Sequence, residues 1–283
     1  MAGLGGSSCI RCGPVRTLDA DRSRDAPYGG PVREFDGRCV LVTGGSRGIG
    51  RATCREFARR GAVVAVHYAT DEAAARDVVA ELTGEGHVAI AADLGRGEAR
   101  QLVRTAVDRM GRIDVLVNNA GIYEAHPVLT TSADEWEASW SRTLATNLVG
   151  PADLIHAVAG DMARRGGGRI VNVTSRGAFR GEPDHAAYGA SKAALNSLSQ
   201  SMARALAPHG VYVTAVAPGF VETDMAAPYL DGDGGDAIRA QSPMGRAATP
   251  DEVARLIVFL ATPGSESTTG AIVDINGASY LRT

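Results

Sequence analysis

Cys39-Val40-Leu41-Val42-Thr43-Gly44-Gly45-Ser46-Arg47-Gly48-Ile49-Gly50 is the stretch whose reading decides the fold. Four β-prone residues run into a glycine-rich turn, and Ala52-Thr53-Cys54-Arg55-Glu56-Phe57-Ala58 follows with the texture of a helix. Glycines in such a turn let the chain reverse tightly. They also let backbone N–H groups approach a pyrophosphate at the helix N-terminus. The spacing is G-x-x-x-G-x-G, not the common G-x-G-x-x-G, so its weight comes from its place between strand and helix.

The same alternation continues along the chain. Val63-Val64-Ala65-Val66-His67 reads as a second strand and Asp71 to Leu82 as a second helix. Val88 to Ala92, Val115 to Val117, Ile170 to Val173, Val211 to Val216 and Ala271 to Ile275 are further strands, with a helix spanning Arg100 to Arg109. These strands are continuously apolar, so both faces of the sheet are expected to be covered. The pattern predicts an α/β chain: a Rossmann-type, doubly wound parallel sheet of about seven strands with helices on both faces. Ligands of such sheets bind beyond the carboxyl ends of the strands, which makes the loops after strands the place to look for chemistry. The Gly/Asp-rich segment from Tyr229 to Asp236 reads as a flexible insertion over that site.

Composition narrows the class. The 283 residues carry a net charge of -3, which does not favour electrostatic capture of nucleic acid or an anionic membrane. The longest apolar runs, such as Leu256 to Leu260, are too short to span a bilayer, and the start has no signal-peptide pattern, so a cytoplasmic location is expected. Residues 1–35, with scattered Gly, Pro, Arg and Asp, read as a disordered extension, and 36–283 as one domain. Cys9 and Cys12 form a C-x-x-C pair in that lead, without the further ligands a zinc site needs, while Cys39 and Cys54 stand alone. No metal site is expected.

Two further places carry chemistry. At the end of the second strand, where a carboxylate would bind the ribose hydroxyls of NAD, this chain has Tyr68. With no acid there to repel a 2′-phosphate, Arg47 on the neighbouring loop can pair with it and Thr70 can donate to it. The reading favours NADP(H) with NAD(H) left open, because Asp71 would oppose the phosphate if it turned inward and Arg47 also reads as a solvated loop residue. The second place is Tyr188-Gly189-Ala190-Ser191-Lys192, which puts a phenol and an ammonium on one helical face. A tyrosine of pKa ~10 is too weak a base at neutral pH, and activating it takes about 3–4 kcal/mol. One cation at about 4 Å in an effective dielectric of ~20 supplies roughly that much. Ser175 closes the strand Ile170 to Thr174, where its hydroxyl can hold a substrate oxygen as charge develops. Asn147 reads as a mid-helix asparagine with a hydrogen-bonding task.

Together these motifs resemble the short-chain dehydrogenase/reductase family over about residues 36–283. The likeness rests on Thr43 to Gly50, Asp93-Leu94, Asn118-Asn119-Ala120-Gly121, Asn147, Ser175, Tyr188 with Lys192, and Pro218-Gly219 followed by Thr223. The resemblance implies that Tyr188 is the catalytic acid/base, that Lys192 holds the nicotinamide ribose and lowers the tyrosine pKa, and that Ser175 orients substrate. It implies that Asn147 holds a water linking Lys192 to a proton relay. Gly44, Ser46, Arg47, Gly48, Ile49 and Gly50 would cradle the cofactor, and Tyr68, Thr70, Asp93 and Leu94 would lie toward its adenosine. Asn118, Ala120 and Gly121 would line the same side and brace the sheet, and Pro218, Gly219 and Thr223 would meet the carboxamide. A homotetramer, packed through the helices that carry Asn147 and Tyr188, is likewise implied.

The activity implied is reversible NADP(H)-dependent hydride transfer between a ketone and a secondary alcohol on a small-molecule substrate. The nearest subfamily in type is the 3-oxoacyl carrier-protein reductases. That alternative needs a basic patch for an acidic carrier protein, to which Arg164-Arg165 can contribute but Gly166 to Gly168 and His209 do not. A nucleotide-sensing regulator without catalysis ranks below both, because the acid/base set is intact. The segment after Ser175, Ala186, Ala187 and the stretch from Phe220 to Met244 are expected to line the substrate pocket, with Phe179, Phe220, Met225 and Tyr229 giving it an apolar cast. Arg176 reads as a solvent-facing loop residue. The Val273-Asp274-Ile275-Asn276-Gly277 ending departs from the usual Val-Asp-Gly-Gly.

Overall fold

The computed structural model describes residues 33–282, so the readings of the lead up to residue 32, including the Cys9/Cys12 pair, lie outside the described residues. The first half holds β1 (Cys39–Val42), α1 (Gly48–Arg59), β2 (Val63–Tyr68), α2 (Glu72–Glu81), β3 (Val88–Ala91), α3 (Ala99–Met110) and β4 (Val115–Asn118). Next come α4 (Ala133–Leu144), α5 (Gly150–Arg164), β5 (Gly168–Val173), α6 (Gly177–Arg180), α7 (Ala186–Leu206) and β6 (Val211–Pro218). The chain closes with α8 (Ala227–Leu230), α9 (Gly235–Arg239), α10 (Pro250–Ala261) and β7 (Ile272–Ile275).

Among the described residues seven strands pair in parallel in the order β3-β2-β1-β4-β5-β6-β7. The continuous apolar runs have the expected consequence, because alternate residues of one strand feed opposite cores. Val40, Val42, Val64 and Val66 pack with Phe57 of α1, Val78 of α2 and Ile257 of α10. Leu41, Ala65 and Ile170 face the other way, against Leu102 of α3, Leu154 of α5 and Ala203 of α7. Phe35, the residue before the expected start of the domain, packs on its core. It is only 2% exposed and meets Phe57 edge-to-face at 4.9 Å, a long-range partner that composition does not reveal.

Two elements differ from expectation. Asn147 lies in a π-helical turn, Ala145–Val149, between α4 and α5, where the Gly150 N–H donates to the carbonyl of Ala145. Such turns widen a helix locally and concentrate at functional sites. The Gly/Asp-rich segment expected as an irregular insertion carries α8 and α9, with Leu230 and Ala226 buried against Ala247, Phe220 and Ile238.

The glycine-rich turn is held from below by β2. Gly44 sits at φ +61° and Gly48 at φ +52°, backbone that favours glycine. The Gly44 N–H donates to Nδ1 of His67 at 3.0 Å, and the other ring nitrogen of His67 meets the Ala92 carbonyl at 2.9 Å. This arrangement requires a neutral ring. Burial lowers the His67 pKa, with the Ala92 carbonyl and Asp93 opposing. A depressed folded value means the stabilisation is complete above the ordinary value of ~6.5 and is lost as pH falls through the folded pKa. His67→Leu, which strands the Gly44 N–H, is expected to cost about 1–3 kcal/mol at pH 7.5. Denaturant melts from pH 5 to 8 check it, and the wild-type decline below pH 6.5 is expected to be shallower in the variant.

Candidate active site

A cleft of about 540 Å³ opens at the carboxyl ends of β1, β2, β4, β5 and β6. One end is the glycine-rich turn. Gly44, Ser46, Arg47, Gly48, Ile49, Tyr68 and Thr70 line it, together with Ala120 and Gly121 after β4. Arg47 is the N-cap of α1 and makes no side-chain hydrogen bond to the first turn, so these N–H donors await an external acceptor. Thr43 fixes the neighbouring loop. Its hydroxyl accepts from the N–H groups of Asn119 and Ala120 at 2.9 and 3.0 Å, while the Asn119 amide donates to the carbonyls of Thr43 and Gly44. Gly50 does not face the cleft. It clears the Gly44 carbonyl, where a Cβ would collide.

These features fit a dinucleotide: glycine backbone at positive φ, uncapped helix donors and an exposed Arg47 meet at one rim. Asp71, the residue expected to oppose a 2′-phosphate, lines this rim and is the N-cap of α2, accepting from the Ala74 N–H at 2.9 Å. Three residues expected on the adenosine side lie off the cleft lining. Asp93 caps the short turn after β3 through the Gly95 N–H, Leu94 is buried in the core, and Asn118 donates to the Asn172 side chain at 2.8 Å across β4 and β5. Of the expected roles for Asn118, sheet bracing is the one seen.

At the other end, Ser175, Tyr188, Lys192, Pro218, Gly219 and Thr223 line the same cleft. Tyr188 and Lys192 share a face of α7, as the spacing predicts, but the ammonium does not reach the phenol. Lys192 Nζ donates to the Val173 carbonyl at 2.8 Å and stands 5.7 Å from the centroid of the Tyr188 ring. Burial pushes the Tyr188 pKa up to about 12, opposed by the Ser175 hydroxyl and reinforced by Glu182. Burial also brings Lys192, 3% exposed, down to about 8. The expected activation of Tyr188 by Lys192 is therefore not supplied by the protein alone, because desolvation outweighs a cation held on Val173.

Asn147 is fully buried beside this pair. Its Oδ1 accepts from the Ile122 N–H at 2.8 Å, and its Nδ2 donates to the Ile122 carbonyl and to Ser191 Oγ. Ser191 in turn donates to the Tyr188 carbonyl at 2.7 Å. The π-turn thus ties the β4 loop to the helix that carries Tyr188. Gly121 keeps the space between them open, since a Cβ there would stand 3.3 Å from Asn147 Oδ1 and 3.5 Å from Lys192 Nζ.

Several cleft residues escape the sequence reading. Tyr123 stacks on His185 at 3.7 Å and meets Tyr188 edge-on at 4.7 Å, and His185 shares a hydrogen bond with the Tyr229 hydroxyl. Glu182 lines the wall beside them. Arg176, expected to face solvent, is 4% exposed with its guanidinium over the Phe220 ring at 5.3 Å. Its backbone N–H is bonded to the Pro218 carbonyl, which turns the side chain into the cleft wall rather than outward. Phe220, Met225 and Tyr229 do line the cleft. Ala187 is buried in the first turn of α7, its N–H donating to His126, Ala186 is off the lining, and Phe179 lies under Arg282. Proximity to Ser175 and Tyr188 was the available signal for Arg176 and Glu182; nothing marked Tyr123.

Residues 38–233 match the short chain dehydrogenase family model. The chain is 40% identical to a 3-oxoacyl-[acyl-carrier-protein] reductase of a Synechocystis strain over 246 residues, 86% of this chain and 96% of that one. It is likewise 40% identical to an L-rhamnose 1-dehydrogenase (NAD(P)(+)) of Azotobacter vinelandii over 254 residues, 86% and 97% of the two chains. A short chain dehydrogenase from Burkholderia cenocepacia, solved in complex with NADP, superposes with a TM-score of 0.77 at 34% identity, covering 87% of this chain and 99% of that one. The chain belongs to the short-chain dehydrogenase family of oxidoreductases.

Proposed function

We propose that this enzyme transfers hydride reversibly between NADP(H) and a ketone/secondary-alcohol pair, with Tyr188 as the acid/base. The observation that carries the reading is the meeting of Ser175, Tyr188 and Lys192 in one cleft with the glycine-rich turn. When bound, the nicotinamide supplies or takes up the hydride, and its oxidised form adds a positive charge to the site. Ser175 holds the substrate oxygen by a hydrogen bond. In reduction Tyr188 gives its proton to that oxygen as negative charge develops there, which a phenol raised toward 12 resists losing to water but yields to an alkoxide. With the cofactor bound, Lys192 would hold its ribose hydroxyls and keep a positive charge beside Tyr188, and Asn147 holds the Ile122 and Ser191 framework around them. Arg47, Thr70 and the ribose-side Tyr68 support a 2′-phosphate, while the carboxylate of Asp71 at the same rim opposes one.

A carrier-protein substrate is the second reading, favoured by relatives named for that activity. Its docking patch is weakened here: Arg165 pairs with Asp161 and Asp114, and Arg164 also lies against Asp161. A regulator without catalysis finds no support in the retained Ser175, Tyr188 and Lys192. No helix among the described residues is long and apolar enough to cross a membrane. We further propose a cytoplasmic location and a homotetramer, the second supported by the exposed apolar side chain of Val149 at the π-turn.

Three measurements test these assignments. Tyr188→Phe is expected to lower turnover by about 10³-fold or more while NADPH binding, followed by fluorescence, persists. Wild type is expected to favour NADPH over NADH in kcat/KM by at least about tenfold, with Arg47→Ser erasing most of that preference. Lys192 gives a stability prediction. Its folded pKa of about 8 lies below the ordinary ~10.4, so the buried ammonium costs stability below pH 8, and the cost fades as pH rises toward the unfolded value. Lys192→Met is expected to gain on the order of 1–3 kcal/mol at pH 7 in cofactor-free denaturant melts while losing activity.

A further inference from the structure

Resting on the reading of this cleft as the reaction site, we propose that Arg176 and Glu182 form a hydroxyl-recognising pair, and that the substrate is a neutral polyhydroxylated compound, a sugar or polyol. Both residues line the cleft that holds Ser175 and Tyr188, and Arg176 directly follows Ser175 in the chain. Arg176 is 96% buried by its 4% exposure, yet among the described residues it makes neither an ion pair nor a side-chain hydrogen bond; its one side-chain contact of note is the Phe220 ring. Its guanidinium nitrogens remain open to the cleft, so a molecule that covers them must accept from them or leave a desolvated charge unpaired. Glu182 is in the converse position. The only hydrogen bond to its carboxylate among the described residues comes from the Tyr123 hydroxyl at 3.5 Å, the outer limit for such a bond. Burial raises its pKa, with Arg180 and Arg176 opposing.

The two groups set complementary demands. A guanidinium only donates and a carboxylate only accepts, so one wall presents donors beside acceptors. An anionic substrate would satisfy Arg176 and be repelled by Glu182. An amine would meet Glu182 but also Arg176, Arg180 and Lys192. An acyl chain would leave both charged groups desolvated and unpaired. Neighbouring hydroxyls satisfy both at once, because each can donate to Glu182 and accept from Arg176. The aromatic faces of Tyr123 and Phe220 then meet the C–H surface of the same molecule. A single hydroxyl on the substrate would be oxidised at Tyr188, while its neighbours are read by this pair.

The test compares oxidation of aldoses and polyols with oxidation of simple secondary alcohols of similar size, using NADP+ and wild-type enzyme. The ratio of kcat/KM for hydroxylated over simple substrates is expected to exceed about 10²-fold. Glu182→Leu and Arg176→Leu are each expected to shrink that ratio by at least tenfold, and Glu182→Gln to leave an intermediate value. NADPH fluorescence titration of every variant reports whether its fold survives, and a Glu182→Leu protein that does not bind is replaced by Glu182→Gln in the comparison. Wild-type preference for simple alcohols or acyl thioesters overturns the inference and leaves the oxidoreductase reading standing. Variants that lower both substrate classes equally also overturn it. Failure of any substrate to turn over, with Tyr188→Phe indistinguishable from wild type, removes the underlying reading and the inference together.

Discussion

The hydroxyl of Thr43 is the pin on which the site depends. It donates to the Val117 carbonyl and accepts from the N–H groups of Asn119 and Ala120, joining the end of β1 to the end of β4. These two strands are neighbours in the sheet although they are far apart in the chain, and the winding direction reverses between them. At such a point the loops of the two halves diverge and leave a crevice. Without a polar tie the crevice would be lined by unsatisfied backbone groups. Thr43, Asn119 and His67 between them satisfy the inner face of the turn and leave only the outer N–H groups of α1 for a ligand.

The catalytic end shows what this rigidity costs. Tyr188 is half-buried in the cleft wall and Lys192 is buried, and each is shifted toward its neutral form: the phenol upward, the ammonium downward. Desolvation acts on both in the direction that weakens an ion pair between them. The protein accepts a buried ammonium bonded to a single strand carbonyl, Val173, in order to have a donor next to Gly121 and Asn147. A site of this kind is destabilised by the groups it needs for chemistry and is carried by the packing of β4, β5 and α7 around it.

Much of this was legible in the sequence, for reasons that differ by residue. Strands buried on both faces announce themselves as unbroken apolar runs, so β1, β2, β5 and β6 were read nearly to the residue, and Tyr188 with Lys192 needed only helical spacing. What failed was side-chain direction and long-range partnership. Arg176 looked like any charged loop residue, because its burial depends on the Pro218 carbonyl from β6 turning its backbone. Asn118 and Asp93 matched motif positions, yet Asn172 and Gly95 are the partners that hold them. The π-turn at Asn147 left no mark on periodicity, since one extra residue per turn over five residues shifts the pattern less than ordinary helical scatter.

The placement of Arg176 next to Ser175 separates two tasks that a single residue cannot perform. In the proposed reaction Ser175 donates toward an oxygen whose charge changes, so its contact would be strongest in the transition state. In the proposed pairing Arg176 and Glu182 meet hydroxyls that do not react, so their contacts chiefly set which molecule enters and in what orientation, while Glu182 also acts on Tyr188 by raising its pKa. Their position one residue and seven residues after Ser175 ties that orientation to the same β5–α7 connection that carries the reacting groups. A shift of this connection moves recognition and chemistry together. Substrate orientation relative to Tyr188 is thus fixed by covalent neighbourhood as well as by packing.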